Sequence, residues 1–369
     1  MSLMVSVSGV RGLIGQTLTP LVAAEFAQAY GTLLGGGRVV VARDTRPSGE
    51  MFMQAITAGL LAAGCEVTNI GVCMTPTVGR AILHGKYDGG VSVTASHNPM
   101  VWNGIKFLDN QGLAPDPDRA ARIAAIRSEG KYALKTGGFK PVRHDDQAGE
   151  RHVEDVLRTL EVDLKPIAGT RVVLDSINGA GCADTPALLA ELGCTTIHIN
   201  GEPTGEFAHT PEPIAENLTQ LCDEVRRHKA AIGFAQDPDA DRLALVDENG
   251  RYIGEEYTLA LAVWSVLSRR KGSVAANLST SRLSDVIAER HGCKVLRTAV
   301  GEANVARGMI AGKCVIGGEG NGGVIDPRIC WVRDSLSAMS LVLQLMAQTG
   351  KTLSGLVADL PPLAMIKTK

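Results

Sequence analysis

Residues 38–70 read RVVVARDTRPSGEMFMQAITAGLLAAGCEVTNI and contain a complete strand–helix–strand pattern. Arg38–Ala42 is a β-branched, apolar run typical of a strand, and Glu50–Ala63 places apolar residues at helical spacing. Gly64 follows this helix, where glycine supplies a left-handed C-cap, and Cys65 then opens a second strand, which we expect to be buried. Because units of this length join parallel strands by a right-handed crossover, the segment predicts an α/β fold.

The same pattern recurs twice further along the chain. Each copy has an apolar strand, an amphipathic helix, a Gly-Cys pair and a second strand. The second copy consists of Arg171–Asp175, Thr185–Leu192 and Gly193–Ile199, and the third of Ser273–Asn277, Ser281–Arg290 and Gly292–Leu296. This internal repeat predicts three tandem, similar α/β domains with mixed, mainly parallel sheets flanked by helices.

Polar stretches without periodicity separate these copies. Lys135–Gly149 has the composition of a linker, and Glu248-Asn-Gly250 is a hairpin signal that precedes the helical pattern of Glu255–Arg270. We therefore predict domain I over residues 1–140, domain II over 150–250, domain III over 251–360 and a hinge toward a further domain over 361–369.

The composition is typical of a cytoplasmic globular protein. The 369 residues carry 37 basic and 39 acidic side chains, with a formal net charge of −2 and 45% hydrophobic residues. This balance excludes a generally basic nucleic-acid binder. No apolar run reaches the roughly 18 residues of a membrane helix, and the N-terminus lacks a signal-peptide pattern, so we expect neither a nucleic acid nor a membrane as partner. Eight scattered cysteines without a CxxC motif predict reduced thiols.

Asp237-Pro-Asp-Ala-Asp241-Arg242 follows an apolar strand pattern and places three carboxylates at alternate positions. In an extended loop alternate side chains point the same way, so the three can converge on one cation, and oxygen ligands favour Mg²⁺ or Ca²⁺. An EF-hand is excluded, because Arg242 stands where its turn needs glycine and strands flank the loop. A haloacid dehalogenase phosphatase loop is disfavoured, because Leu243, which follows Arg242, is not the residue expected at the end of such a loop. A solvated acidic turn is the remaining alternative.

A second polar loop, Thr94-Ala-Ser-His-Asn-Pro99, also follows an apolar strand pattern. Ligands of open α/β sheets bind at the carboxyl ends of strands, which makes this loop a candidate for chemistry. Ser96 and His97 are adjacent, and Lys106 follows within Trp102-Asn-Gly-Ile-Lys-Phe107. No GxSxG elbow is present, which disfavours a serine hydrolase. The spacing alone leaves a functional loop and an ordinary Ser/Asn/Pro turn equally open.

Two glycine-rich segments are weaker candidates on their own. Gly317–Gly323, GGEGNGG, would let the backbone approach a ligand closely, with Glu319 and Asn321 placed to hydrogen-bond sugar hydroxyls. It is not a Walker loop, because no Gly-Lys-Ser/Thr follows. In Ser8-Gly-Val-Arg-Gly-Leu-Ile-Gly15, Arg11 is suited to hold a phosphate, with a plain surface arginine as the alternative.

Taken in order, SGVRG, ARDTRPSG (Ala42–Gly49), TASHNP, DPDADR, GEGNGG and the LPP near the end resemble the α-D-phosphohexomutase family over nearly the whole chain. The pair TASHNP and DPDADR at this separation carries most of the resemblance. Members of the family have four domains, three of them similar α/β units. SVSGVRG, WNGIKF and GEGNGG are most similar to the archaeal-like group of phosphoglucosamine mutases and phosphoglucomutase/phosphomannomutases.

The resemblance implies an enzyme that interconverts hexose 1-phosphate and hexose 6-phosphate, with glucosamine, glucose or mannose phosphate as substrate. Ser96 would be a phosphoserine, and one Mg²⁺ per chain would bind to it together with Asp237, Asp239 and Asp241. A hexose 1,6-bisphosphate would be the intermediate and the activator. The partner is then a small phosphosugar, and the chain is expected to be a monomer or a homodimer.

The same resemblance implies roles for the other polar residues. Lys106 would be the acid/base, with His97 as a neighbour that tunes it. Arg11 would stabilise the transferred phosphoryl group, and Arg242 would orient the phosphoserine loop. The substrate-binding residues would be Arg242, Glu319, Asn321, Thr298 and Gly301.

Two departures from the family pattern change these expectations. Many relatives read Gly-Glu-x-Ser-Gly-His in the glycine-rich segment, whereas Asn321 and Gly323 replace the serine and the histidine here. Because that histidine is a proposed acid/base in some members, its role would pass to Lys106 or stay unfilled. The family's fourth domain, with its Arg-x-Ser-Gly-Thr phosphate clamp, is absent from these residues, so we expect a truncated chain with poor turnover. A phosphohydrolase and a phosphosugar-binding remnant are the alternative functions.

Overall fold

The computed structural model describes residues 2–7 and 9–363, so Ser8 of the N-terminal motif and residues 364–369 of the predicted hinge lie outside the described residues. The described residues form fifteen strands, twelve α-helices and three sheets. The strands are β1 (Met4–Ser6), β2 (Gly9–Leu13), β3 (Gly37–Arg43), β4 (Cys65–Val72), β5 (Gly89–Val93), β6 (Trp102–Asp109), β7 (Arg143–His144), β8 (Arg171–Asp175), β9 (Thr195–Ile199), β10 (Ile232–Gln236), β11 (Leu243–Asp247), β12 (Val274–Asn277), β13 (Val295–Thr298), β14 (Ile316–Glu319) and β15 (Gly323–Ile325). The helices are α1 (Pro20–Leu34), α2 (Gly49–Ala62), α3 (Thr75–Gly85), α4 (Pro117–Glu129), α5 (Ala148–Arg158), α6 (Asp184–Glu191), α7 (Thr219–His228), α8 (Glu256–Leu267), α9 (Leu283–Arg290), α10 (Glu302–Gly312), α11 (Ser335–Thr349) and α12 (Leu353–Ala358).

The three sheets are built on one four-stranded unit. The second sheet has the order β11-β10-β8-β9 and the third has β15-β14-β12-β13, and in each the first-named strand is antiparallel to its neighbour while the others are parallel. The first sheet contains the same arrangement as β6-β5-β3-β4, extended by β2 and β1 at one edge and by β7 at the other. The prediction of three similar α/β units with mixed, mainly parallel sheets is therefore confirmed.

The ends of the repeats differ from the expectation in one respect. The glycine after the helix of each repeat has a left-handed φ, between +67° and +83°. Cys65 opens the largely buried β4 as expected, but Cys194 and Cys293 precede β9 and β13, which lie at sheet edges and are only partly buried. The expectation of a buried strand is wrong for these two copies, because a sequence repeat does not report where a strand lies in the sheet order.

The segments between the units are more ordered than their composition indicates. The predicted linker 135–149 contains β7, which pairs with β4 and so extends the first sheet past residue 140. The hairpin signal at Glu248-Asn-Gly250 forms a turn closed by a bridge between Val246 and Tyr252. None of the described helices is long and apolar enough to cross a membrane.

One apolar cluster runs through all three units and packs them together. It includes Val40 and Ile82 from the first unit, Leu188 from the second, and residues of α8 and α11 from the third. Helices α8 and α11 are buried along most of their length, and most of their buried residues are apolar. The units therefore share a core instead of sitting on flexible linkers.

A buried polar junction also connects the three units. His152 on α5 is fully buried and faces Thr77 of α3, with 3.0 Å between Nδ1 and Oγ1. Its Nε2 lies 3.3 Å from Oδ2 of Asp334, which caps the N-terminus of α11 by accepting from the backbone N–H groups of Leu336 and Ser337. Buried polar groups must be paired, so the histidine fixes these helices relative to one another.

We expect His152→Leu to lower the free energy of unfolding by about 1–3 kcal/mol, because Thr77 and Asp334 each lose a buried partner. Urea denaturation followed by circular dichroism measures the change. The matched control is His144→Leu, which alters an exposed histidine of β7 and should change stability little. Equal effects of the two substitutions would contradict the role of the junction.

Candidate functional site

The turn between the last parallel strand and the antiparallel strand lies at the same place in each of the three units. We call these turns the serine loop (Thr94–Val101, between β5 and β6), the aspartate loop (Asp237–Arg242, between β10 and β11) and the glycine loop (Gly320–Gly322, between β14 and β15). All three begin at the carboxyl end of a parallel strand, the edge where open α/β sheets bind ligands. The glycine-rich motif was expected to be a loop throughout, but its first residues continue β14 as far as Glu319, because they pair with β15.

The serine loop presents Ser96 in an uncommon conformation. Its φ is +50°, a left-handed value that is strained for a side chain other than glycine, and the residue is buried. The Ser96 backbone N–H donates to Oγ1 of Thr94 at 2.9 Å. The Ser96 hydroxyl donates to Oδ2 of Asp237, 2.7 Å away in the aspartate loop. The loop therefore aims its hydroxyl at the neighbouring unit.

Arg46 holds this loop in place. Its side chain is fully buried, and Nε pairs with Asp44 at 3.1 Å. Its other donors reach four backbone carbonyls at 2.7–3.1 Å, those of Ser96, Asn98, Pro99 and Trp102. One arginine thus connects the backbone of the serine loop to the start of β6. Among the described residues Arg46 makes these contacts, and an orienting role of Arg242 stays a prediction.

The aspartate loop concentrates negative charge in a buried place. Asp237, Asp239 and Asp241 are fully buried, and one carboxylate oxygen of each lies within 4.8 Å of the others. Oδ2 of Asp239 and of Asp241 accept from Nζ of Lys106 at 2.6 and 3.1 Å. Oδ1 of each of these two aspartates is buried without a hydrogen-bond partner among the described residues. Converging, unpartnered carboxylate oxygens fit a hard divalent cation, so this loop could hold a metal ion.

Cations from the other units compensate part of this charge. Burial raises the pKa of Asp241, but nearby Arg333 and Lys106 outweigh burial and bring this pKa well below its ordinary value. Burial, together with Asp241 and Asp239, raises the pKa of Asp237 well above its ordinary value. Burial lowers the pKa of Lys106, but the carboxylates of Asp239 and Asp241 outweigh it, so the amine is held in its charged form. Of the three aspartates, Asp237, beside Ser96, is therefore the one whose ionised form these surroundings stabilise least.

Glu319, at the end of β14, and Asn321, in the glycine loop, lie at a cleft between the three loops. Oε1 of Glu319 accepts from Nδ2 of Asn277 at 2.7 Å and from the backbone N–H of Gly301 at 3.2 Å, and Oε2 accepts from Arg333 at 2.6 Å. Oδ1 of Asn321 is buried without a hydrogen-bond partner among the described residues. Glu319 is thus fixed by the protein, whereas Asn321 keeps an acceptor available.

Arg11 and His97 complete the wall on the side of the first unit. Arg11 lies on β2 and not in a loop, and its Nη1 donates to Oδ1 of Asn98 at 2.9 Å. Nδ1 of His97 lies 3.4 Å from the Ser96 hydroxyl. Burial, with the charges of Arg242 and Arg11, lowers the pKa of His97 to about 3, so this imidazole is neutral near pH 7.

A cleft of about 210 Å³ lies between these loops. Its lining includes seven predicted residues, namely Arg11, His97, Lys106, Arg242, Gly301, Glu319 and Asn321. Ser96 and the three aspartates are buried and connect to the cleft through His97 and Lys106. Thr298, at the end of β13, is not part of the lining.

Sequence reasoning missed three residues of this site. Arg46 lies in the ARDTRPSG motif, but its role follows only from the carbonyls it meets. Arg333 donates to Asp241 at 2.6 Å, and Glu302 at the start of α10 lies 2.9 Å from Nε of that arginine. The signal that could have indicated Arg333 is its position directly before Asp334, the N-cap of α11, in an otherwise apolar stretch.

Three family models match successive parts of the chain. They describe phosphoglucomutase/phosphomannomutase alpha/beta/alpha domain I over residues 3–133, domain II over residues 150–250 and domain III over residues 254–363.

Individual relatives agree with this match. A phosphoglucomutase/phosphomannomutase of Thermococcus kodakarensis is 40% identical over 98% of this chain and 81% of its own length. A relative from Methanopyrus kandleri that carries a phosphoglucosamine mutase name is 38% identical over 98% of this chain and 79% of its own length. The crystal structure of a phosphoglucomutase/phosphomannomutase family protein from Burkholderia thailandensis superimposes with a TM-score of 0.87 at 28% identity, covering 98% of this chain and 81% of that one.

We expect Asp239→Asn to weaken the binding of Mg²⁺, or of Mn²⁺ as its spectroscopic substitute, by at least about tenfold, because it removes one of three converging charges. Titration calorimetry and the electron paramagnetic resonance signal of free Mn²⁺ measure this without any sugar. Asp223→Asn, on an exposed side chain of α7, is the control and should bind metal as the parent does. Unchanged affinity in Asp239→Asn would refute a metal site at the aspartate loop.

Proposed function

The chain belongs to the α-D-phosphohexomutase family, and from this membership we propose that it interconverts hexose 1-phosphate and hexose 6-phosphate. In this proposal Ser96 carries the transferable phosphoryl group, and a hexose 1,6-bisphosphate is both the intermediate and the activator. The family membership supports a sugar phosphate mutase; the phosphoserine and the intermediate are implied by the resemblance of the motifs, and the contact between Ser96 and Asp237 supports the phosphoserine.

The contact between Ser96 and Asp237 is the observation that carries the proposal. A strained, buried serine in one unit points its hydroxyl at a buried carboxylate of another, 2.7 Å away. Such an arrangement is unfavourable for folding, because it buries a carboxylate beside other carboxylates. It is useful if the serine oxygen and the aspartates together surround a phosphoryl group whose charge is balanced by a bound cation.

The reaction would proceed in two half-reactions. In the first, the bond between phosphorus and the Ser96 oxygen breaks and that oxygen takes up a proton, while a bond forms between phosphorus and O6 of a hexose 1-phosphate, whose hydroxyl proton leaves to a base. In the second, the bond between phosphorus and the sugar O1 breaks and O1 takes up a proton, while a bond forms between phosphorus and the Ser96 oxygen, whose proton leaves to a base, and hexose 6-phosphate is released. Each half-reaction moves one phosphoryl group and one proton, so the enzyme ends as it began.

The side chains around the cleft would supply the remaining chemistry. We propose Lys106 as the acid/base, since its Nζ reaches the cleft beside Asp239 and Asp241, with neutral His97 as its neighbour. Arg11 and Arg242 would stabilise the charge of the transferred group. Mg²⁺ held by the three aspartates and the phosphoserine would add positive charge at the same oxygens.

Recognition of the sugar is assigned to the third unit. Glu319, held in place by three donors, and Asn321, with its free acceptor, would bind hydroxyl groups, and Gly301 would provide close backbone approach. The role of Thr298 as a substrate-binding residue stays a prediction. The names of the relatives include glucose, mannose and glucosamine phosphates, so we propose the hexose phosphate class and not one sugar.

We expect Ser96→Ala to abolish phosphorylation and to lower mutase turnover by at least about 10³-fold, because it removes the hydroxyl that is proposed to carry the group. Intact mass spectrometry after incubation with a hexose 1,6-bisphosphate and Mg²⁺ should show a gain of roughly 80 Da in the parent and none in the variant. Ser128→Ala, on an exposed serine of α4, is the control.

Other results would favour the alternatives. Release of inorganic phosphate without equilibration of the two hexose phosphates would indicate a phosphohydrolase. Binding of the hexose phosphates with neither a mass gain nor turnover would indicate a phosphosugar-binding remnant. A full mass gain in Ser96→Ala would refute the phosphoserine.

A further inference from the structure

Gly323 opens β15 at a place where there is no room for a side chain. A Cβ atom added to this glycine would lie 2.1 Å from Cδ and 2.9 Å from Cγ of Arg333. Real Cβ contacts are not this short, and the neighbouring atoms belong to the buried stem of the arginine and not to its free end. The absence of a side chain at position 323 is therefore what lets the Arg333 stem cross the strand.

The guanidinium group at the end of that stem joins the aspartate loop to the glycine loop. Nη2 donates to Oδ2 of Asp241, and Nη1 donates to Oε2 of Glu319, both at 2.6 Å. Nε lies 2.9 Å from Oε2 of Glu302, which also accepts from the Arg333 backbone N–H at 3.2 Å. Arg333 is only 7% exposed, so these contacts are made away from bulk water.

We propose that Arg333 is a positioning residue for the mutase reaction, and that Gly323 is required to admit it. The proposal rests on the proposed function and deepens it. The planar guanidinium group of Arg333 sets the distance between the carboxylate of Asp241, in the aspartate loop, and that of Glu319, which is proposed to bind the sugar. These two carboxylates belong to different units of the fold, and one rigid, doubly bonded group fixes their distance better than two separate contacts.

The same geometry accounts for a departure from the family pattern. Many relatives carry a histidine at the position of Gly323, and such a side chain would begin in the volume that the Arg333 stem fills. The histidine and Arg333 are thus alternative occupants of one space beside Glu319. In this chain the space that the histidine would fill is occupied by Arg333, a permanently charged side chain from the segment before α11.

Two substitutions separate the positioning role from a merely structural one. Arg333→Met keeps an unbranched stem over Gly323 but loses every donor, and Arg333→Lys keeps the charge but replaces the planar fork by a single nitrogen, which cannot hold the two carboxylates at the spacing of the two Nη atoms. We expect Arg333→Met to lower kcat/KM for hexose 1-phosphate about 100-fold and Arg333→Lys to lower it at least about tenfold, with a raised KM in both because Glu319 is released. Arg328→Met, which removes an ion pair of Asp326 away from the cleft, is the control.

A double-mutant cycle tests the assignment of Gly323. Gly323→Ala should impair the parent strongly, whereas in an Arg333→Ala background the same change should cost less than about twofold further, since the clash is gone. Gly137→Ala, at a site with open space around it, is the matched control for a glycine substitution. The melting temperatures of all variants, measured without substrate, provide a second measure of the coupling between positions 323 and 333.

The outcomes distinguish this inference from the proposed function. Parent-like kcat/KM in Arg333→Met or in Arg333→Lys would overturn the positioning role, as would additive effects of Gly323→Ala and Arg333→Ala on activity and on melting temperature. If Arg333→Met or Arg333→Lys fails to fold, the double-mutant cycle of Gly323→Ala and Arg333→Ala tests the proposal instead. A parent chain without mutase turnover would refute the proposed function itself, and the coupling of the two positions would then be read from melting temperatures.

Discussion

The structure depends on the burial of three carboxylates within one small volume. Removing Asp237, Asp239 and Asp241 from water is strongly unfavourable unless positive charge comes with them. Arg242 of the aspartate loop supplies only part of that charge, so Lys106 reaches the loop from the first unit and Arg333 from the third. The same concentration of carboxylates that would let the loop hold a metal ion therefore also draws the three units together around it.

The repeated fold explains why one cleft can combine such different groups. Each unit turns its chain at the same place, between the last parallel strand and the antiparallel strand, and each turn carries a different chemistry. The first presents a hydroxyl, the second carboxylates, and the third an amide beside flexible glycine backbone. Three copies of one architecture thus contribute three distinct functions to a single site, and the fold itself decides only where they meet.

The parts that follow from local periodicity could be predicted from the sequence, and those that depend on distant partners could not. The strand–helix–strand repeat, its glycine caps and the convergence of the aspartates are encoded over short stretches. Arg46 and Arg333 were missed because their partners lie 50 and 92 residues away, and nothing in a single sequence pairs them. The edge positions of β9 and β13 were also missed, because strand order within a sheet is a property of the assembled chain.

The packing of the units constrains how the proposed reaction can proceed. Its two half-reactions require one serine to serve oxygens at opposite sides of a hexose, so either the protein or the sugar must move between them. Ser96 is locked by the carbonyl contacts of Arg46, and the units share both an apolar core and the buried junction at His152. Parting the three units would expose this core and separate buried ion pairs. In the proposed reaction the bisphosphate itself would therefore turn within the cleft, while Ser96 and the aspartates stay in place.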